Sequence, residues 1–363
     1  SAGPHLHLEL RRTETGEYID PMPYFKHLLK DSKAPVGNLI GIYPIQGKGV
    51  VNGTSHKKLL AIGNLKQPVH AWGEIYTGIS AKDYMDGTSN FYGVHSVTLY
   101  VDSVQVFNST TDKVLPDENR MINGFTDYEE LTRTRRLIMR SYKLPGNRLR
   151  LLHTNENRGA VTIDEERDYH FRYVLEDNFG NRRTYQFTVK GKRQDIPEYK
   201  PEANEMLYWN RTNVIQKPGI ELVVPRYYVY EDVPLRTDMR GDSSRIAFDY
   251  ILDAGRTPIH SYCDLSIGLR HMPVADTTKY YIVQKAGKWR SSMGGKYANG
   301  WIKTRVRSLG TFSVDVDTIA PQITPIGQGG WRTSRNIRFR IKDMESGIGS
   351  YKVYIDGKFC LLY

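Results

Sequence analysis

The sequence predicts a mainly all-β chain of several β-sandwich domains in series. Two observations carry this prediction. The 363 residues include 25 Tyr, 32 Gly and 17 Pro, a composition rich in strand and turn formers. Short runs dense in Val, Ile, Tyr and Thr alternate with turn signals such as Asn178-Phe179-Gly180-Asn181 and Asp356-Gly357. Strands are expected over 96–106, 169–175, 184–189, 220–224, 280–283 and 337–341. The pattern predicts a helix over 127–139, with Thr126 as N-cap and Glu129 three residues on, and a shorter one over 24–29.

The length suits two to three domains, and 39% hydrophobic with 25% charged residues is ordinary for a globular protein. No apolar run reaches the ~18 residues of a membrane span. Ser1 opens neither with Met nor with a signal-peptide pattern, so the chain reads as a fragment or a processed product. Cys263 and Cys360 are too few for a framework of bridges, and two free thiols are expected. The net charge of +11 raises nucleic-acid binding as a question. However, Lys and Arg are spread along the chain, and their densest cluster (Arg133, Arg135, Arg136, Arg140) occupies one short segment. Nucleic acid is therefore not an expected partner. The charge suits solubility or a basic face towards an anionic envelope polymer.

An internal repeat organises the chain. Lys82-Asp83-Tyr84-Met85-Asp86 leads to Gly93-Val94-His95-Ser96-Val97-Thr98-Leu99-Tyr100-Val101-Asp102. Lys342-Asp343-Met344-Glu345-Ser346 leads to Gly347-Ile348-Gly349-Ser350-Tyr351-Lys352-Val353-Tyr354-Ile355-Asp356. The first copy closes through residues 169–191, whereas nothing equivalent follows the second, whose end looks cut. Polar and Pro-containing junctions then set the expected boundaries at 1–31, 32–195 with a helical insertion, 196–316 and 317–363.

The chemistry is concentrated at the start. In Ser1-Ala2-Gly3-Pro4-His5-Leu6-His7-Leu8-Glu9-Leu10-Arg11 the residues alternate with period two after Pro4. Leu6, Leu8 and Leu10 share one face of a strand, and His5, His7 and Glu9 the other. Two imidazoles at i and i+2 can reach one metal, and neutral imidazole is the usual nitrogen ligand of zinc.

The stretch Gly3–Arg11, with Thr15-Gly16-Glu17-Tyr18-Ile19-Asp20-Pro21 after it, closely resembles the last active-site strand of the lysostaphin/LytM-like zinc endopeptidases and its exit. These enzymes cleave peptide cross-links of bacterial peptidoglycan, and their usual aromatic is replaced here by Leu8. The resemblance implies His7 as a zinc ligand and His5 as the catalytic His that assists the attacking water. It makes residues 1–31 the remnant of the peptidase domain. The family's other ligands, a His-x-x-x-Asp motif, lie upstream of this strand, so the isolated chain is expected to be inactive.

Tyr43-Pro44, Asp83-Tyr84-Met85-Asp86-Gly87, Phe125-Thr126-Asp127-Tyr128-Glu129 and Asp164-Glu165-Glu166-Arg167 look like the long envelope peptidases of Bacteroides-type bacteria, with immunoglobulin-like β domains. Peptidoglycan or another envelope polymer, together with envelope proteins, is the implied partner, and the periplasm or cell envelope the implied place. The alternative is a non-catalytic envelope scaffold or a glycan- or protein-binding β-sandwich module.

Three further features have ordinary explanations beside functional ones. His27/Asp31 and His260/Asp264 have His-x-x-x-Asp spacing, but chance alone supplies about one such match. Asp83, Asp86, Asp102, Asp343, Glu345 and Asp356 could mark calcium sites or simply cap their own turns. The loop 288–301 mixes aromatics, Gly and cations, which suits either a stacking platform for sugars or a long hairpin with core tryptophans.

Overall fold

A computed structural model describes residues 8–242 and 244–361. Strand makes up 46% and helix 8% of the chain, which forms multiple sheets, so the fold is all-β and of β-sandwich type. The chain divides into two compact units. The first comprises residues up to 202 with the segments 227–232 and 256–260, and the second comprises the remainder.

Besides a small three-stranded sheet, the first unit is built on one long sheet folded around a single core. Its order is Leu152–Thr154, Val104–Thr110, Ser96–Val101, Asp168–Glu176, Arg182–Gly191, Val69–Tyr84, Val36–Val51, Lys58–Ala61. Val69–Tyr84 is the corner strand. It pairs in parallel with Val189–Gly191 at its start and antiparallel with Val161–Ile163 and Met139–Arg140 further along. Asp168–Glu176 shows the period-two logic, burying Tyr169, Phe171, Tyr173 and Leu175. Each such side chain contributes about 2–3 kcal/mol of apolar burial. These residues join Ile40, Ile42, Ile75, Ile79, Leu99 and Phe107 in one core. The buried Tyr173 hydroxyl is satisfied by Thr77 Oγ1 and Ser141 Oγ, each at 2.7 Å. A bulge after Pro44 brings Gly49 against the Val69–Tyr84 strand. A Cβ on Gly49 would lie 2.1 Å from Glu74 O, so only glycine fits there.

The second unit holds a sandwich of two sheets. One runs Glu205–Leu207, Val233–Arg240, Asp249–Asp253, Gly310–Val316, Tyr280–Ala286, Trp289–Ser292. The other runs Asn213–Lys217, Ile220–Val224, Cys263–Gly268, Trp301–Val306, Lys296–Ala298. Two hairpins follow, Gln322–Ile326 with Arg338–Lys342 and Val353–Ile355 with Lys358–Cys360. Both sandwiches carry a tyrosine corner of the immunoglobulin kind. Tyr169 Oη accepts from the Asp164 and Glu165 amides (3.3 and 3.1 Å). Tyr280 Oη accepts from Val274 N and donates to Val274 O (2.9 and 2.7 Å). Cys263 and Cys360 are free thiols, and burial pushes that of Cys263 up to about 12.

Three expectations need correction. The predicted strand 96–106 is a hairpin, because Asp102 and Ser103 take positive φ (48° and 71°) and turn the chain. The helix expected over 127–139 is Tyr128–Thr134. Its N-cap is Asp127, whose side chain accepts from Glu130 N, and Arg135 ends it in the left-handed region. Burial of Ile138 and pairing of Met139–Arg140 with the corner strand override continuation of the helix. The short helix is Met22–Phe25 followed by a 3-10 turn, Lys26–Leu28.

Candidate functional site

His5 and His7 lie outside the described residues. The chain that follows them is well anchored in the first unit. Leu10–Arg11 pairs with Tyr18–Ile19, which pairs with Lys113–Val114. Gly16, at φ 69°, makes the intervening turn. Glu17 is buried and accepts from Arg150 Nη2 at 2.7 Å, while Arg150 Nε donates to Glu118 at 2.8 Å. The Thr15–Pro21 segment is thereby held by one guanidinium shared between two carboxylates.

Beside it lies a cavity of about 390 Å³, lined among others by Tyr18, Met22, Tyr92 and His95. Asp31 and Asp83 line it, and a third carboxylate, that of Asp177, converges on them. Asp31, Asp83 and Asp177 place one oxygen each within 4.8 Å of one another. Asp31 precedes the Val36–Val51 strand, Asp83 stands near the end of the corner strand, and Asp177 opens the turn between Asp168–Glu176 and Arg182–Gly191. Asp177 keeps 2% of its surface and Asp83 8%. The Asp177 oxygens accept from Phe179 N, Asn181 N and Asn181 Nδ2, and Asn181 Nδ2 also donates to Asp31 O. Asp31 Oδ1 accepts from Lys33 N at 3.0 Å. Asp31 Oδ2 and Asp83 Oδ1 are buried without a hydrogen-bond partner. Burial, then the charges of Asp177 and Asp31, push the Asp83 carboxyl up to about 6.

A second concave site, of about 550 Å³, includes Tyr43, Lys57, Tyr76, Asp127, Arg140, Tyr142 and Tyr199 in its lining. Tyr76 stacks between Tyr43 and Tyr142, with centroids at 4.8 and 4.6 Å. Burial pushes its hydroxyl up to about 12. Asp127 accepts from Tyr43 Oη (3.1 Å) and Lys57 Nζ (2.7 Å). Arg140 Nε is buried and has no hydrogen-bond partner. The segments holding Tyr43-Pro44 and Asp127-Tyr128-Glu129 thus meet in this cleft.

The remaining candidates separate. His27 is exposed on its 3-10 turn. His260 Nδ1 shares a hydrogen bond with Tyr230 Oη, while Asp264 is exposed. Asp31 joins the carboxylate cluster without His27, and neither His260 nor Asp264 belongs to a group of three converging metal-ligating side chains among the described residues. Of the acids expected near calcium, only Asp83 enters such a group. Asp86 accepts from Ser32 Oγ, Asp102 from Arg167 and the His170 amide, and Asp343 from the Glu345 and Gly347 amides. The loop 288–301 is two short hairpin arms in different sheets, and Trp289, 81% exposed, is no core residue.

Sequence reading missed Asp31 and Asp177 as partners of Asp83, although a signal existed. Asp31-Ser32-Lys33-Ala34-Pro35 matches Asp317-Thr318-Ile319-Ala320-Pro321, so the repeat extends back to its first acid.

The molecule is thus a multidomain β-sandwich protein with a carboxylate cluster and an aromatic cleft on its first unit. Within it, residues 204–317 match a family model, the Zu5-like domain, which falls on the second sandwich. No curated protein and no solved structure matches the chain.

Proposed function

We propose that the chain is the β-domain region of a lysostaphin/LytM-like zinc metalloendopeptidase that hydrolyses cross-link peptides of peptidoglycan in the periplasm or cell envelope. The observation that carries this reading is Gly3-Pro4-His5-Leu6-His7-Leu8-Glu9-Leu10-Arg11. In it, His7 ligates zinc and His5 serves the attacking water as base and the transition state as donor. Zinc supplies a Lewis acid and lowers the pKa of bound water. The described residues offer no zinc set of their own: their converging group is oxygen-only, which suits harder cations. With one ligand of the family's three, these 363 residues alone do not turn over peptidoglycan. The anchored segment that follows these residues supports a supporting role, since Glu17, Arg150 and Glu118 hold Thr15–Pro21 on the first sandwich.

The test is peptide release from purified peptidoglycan by a protein that joins this chain to the His-x-x-x-Asp segment. His7→Ala should remove zinc-dependent turnover, and full activity of that variant overturns the assignment. The cleft favours a second role, as an envelope scaffold or glycan- or peptide-binding module. A stacked aromatic beside the half-buried Arg140 suits a polymer carrying sugar rings and carboxylates. Here Arg140→Ala should weaken binding of soluble peptidoglycan fragments about tenfold or more, and equal binding in titration calorimetry sinks this role.

A further inference from the structure

We propose that Asp31, Asp83 and Asp177 bind one divalent cation of calcium type, which ties three chain segments of the first sandwich together. The site does not depend on the peptidase reading. A cluster of acids alone would not carry the inference, because acids in turns commonly satisfy their own backbone. Here two carboxylate oxygens, Asp31 Oδ2 and Asp83 Oδ1, are buried and have no donor. Native structures rarely leave such atoms unmatched, and an ion is one of the few remedies. No Lys, Arg or His among the described residues forms an ion pair with any of the three acids. The nearby Lys33 Nζ is occupied by Met85 O.

The geometry selects the ion. Calcium takes six to eight oxygens at about 2.3–2.6 Å, so its ligands lie up to about 4.6–5.2 Å apart. The three oxygens fall within that span at 4.8 Å. The donor set is oxygen only, without His or Cys, which disfavours zinc. The adjoining cavity leaves room for the waters that complete such a shell.

The second copy of the repeat is a natural control. Asp317 matches Asp31, and its Oδ1 accepts from Ile319 N at 3.0 Å, as Asp31 Oδ1 does from Lys33 N. Yet Asp317 Oδ2 is taken by the hydroxyl and amide of Ser346, and Asp343 Oδ1 by two amides. What protein donors do in the second copy, the first leaves for a cation.

The test uses the whole 363-residue chain, stripped with chelator. Calcium titrated by calorimetry should bind with one strong site. Terbium, a luminescent stand-in, should bind competitively with calcium, sensitised by Tyr92 in the cavity wall. Saturating calcium should raise the Tm by about 5 °C. Asp83→Asn should weaken binding at least tenfold and abolish the Tm response, while Asp343→Asn leaves both unchanged. Should Asp83→Asn fail to fold, Asp31→Asn, at the less buried acid, carries the same comparison. The proposal is overturned if the chain binds no calcium at millimolar concentration, if Asp83→Asn or Asp31→Asn binds as the parent does, or if magnesium binds more tightly than calcium.

Discussion

The two copies of the repeat share a turn and differ in how they treat their acids. Both close a hairpin over two residues of positive φ, Asp102-Ser103 and Asp356-Gly357, the left-handed pair that matches strand twist. Both open with an acid that caps its own i+2 amide. In the second copy Ser346 and two backbone amides then absorb the carboxylate charge. In the first, Asp83 faces Asp31 and Asp177 with an oxygen unmatched. The same local motif can thus be a finished turn or an open cradle, and the difference is made by residues outside the motif.

That comparison can be broken in several ways. The largest effect should come from a buried acid whose donors are complete. Asp127 accepts from Lys57, Tyr43 and Glu130 N, so Asp127→Ala should cost about 3–5 kcal/mol in urea unfolding. A cost under 1 kcal/mol would show that satisfied carboxylates are not what holds these turns.

Acidification probes the same residue. Burial opposes its charge, but Lys57 and the Glu130 amide prevail and hold its pKa below the ordinary carboxylate value. A depressed acid contributes stability above its unfolded pKa and loses it as pH falls through the folded one. The parent's stability should therefore decline below about pH 4 more steeply than that of Asp127→Asn, by ~1–2 kcal/mol at the acid end. Parallel curves would refute the assignment.

Equivalent positions in the two copies should then respond with opposite sign. Asp343→Ala removes the acceptor of two amides and should destabilise by ~1–2 kcal/mol. Asp83→Asn, measured in chelator, removes one of three facing carboxylates and should stabilise by about 1 kcal/mol. If both substitutions shift the chelated Tm downwards, the first copy is not an open cradle.

How much of this was legible varies with the range of the forces involved. The all-β class and the repeat follow from local composition and turn chemistry, and in the structure both copies of the repeat form a hairpin. The strand 96–106 failed at Asp102-Ser103 because Ser is an unusual residue at positive φ, while the matching Asp356-Gly357 turn announced itself. The helix over 127–139 overran because the burial of Ile138 and the pairing of Met139 with Ile79 are tertiary facts. Asp127 as cap was one residue from the expected Thr126, within the usual uncertainty of helix ends. The cluster required contacts across 52 and 94 residues (83 − 31 and 177 − 83), which no spacing rule reaches. Only the repeated Asp-x-x-Ala-Pro offered a trace of it.

The placement of these three acids has a mechanical side. Asp31 stands just ahead of the first long strand, and Asp177 sits in the last hairpin of the same sandwich. Tension arriving through the residues before Asp31 first loads the pairing of Tyr18–Ile19 with Lys113–Val114 and reaches Asp31 once that pairing gives way. Without a crosslink the load would peel the start of Val36–Val51 away one hydrogen bond at a time. A cation shared with Asp83 and Asp177 would instead divide the load over three strands and turn unzipping into shear. In a single-molecule pulling experiment, calcium would then raise the rupture force of the first sandwich and leave that of the second unaltered.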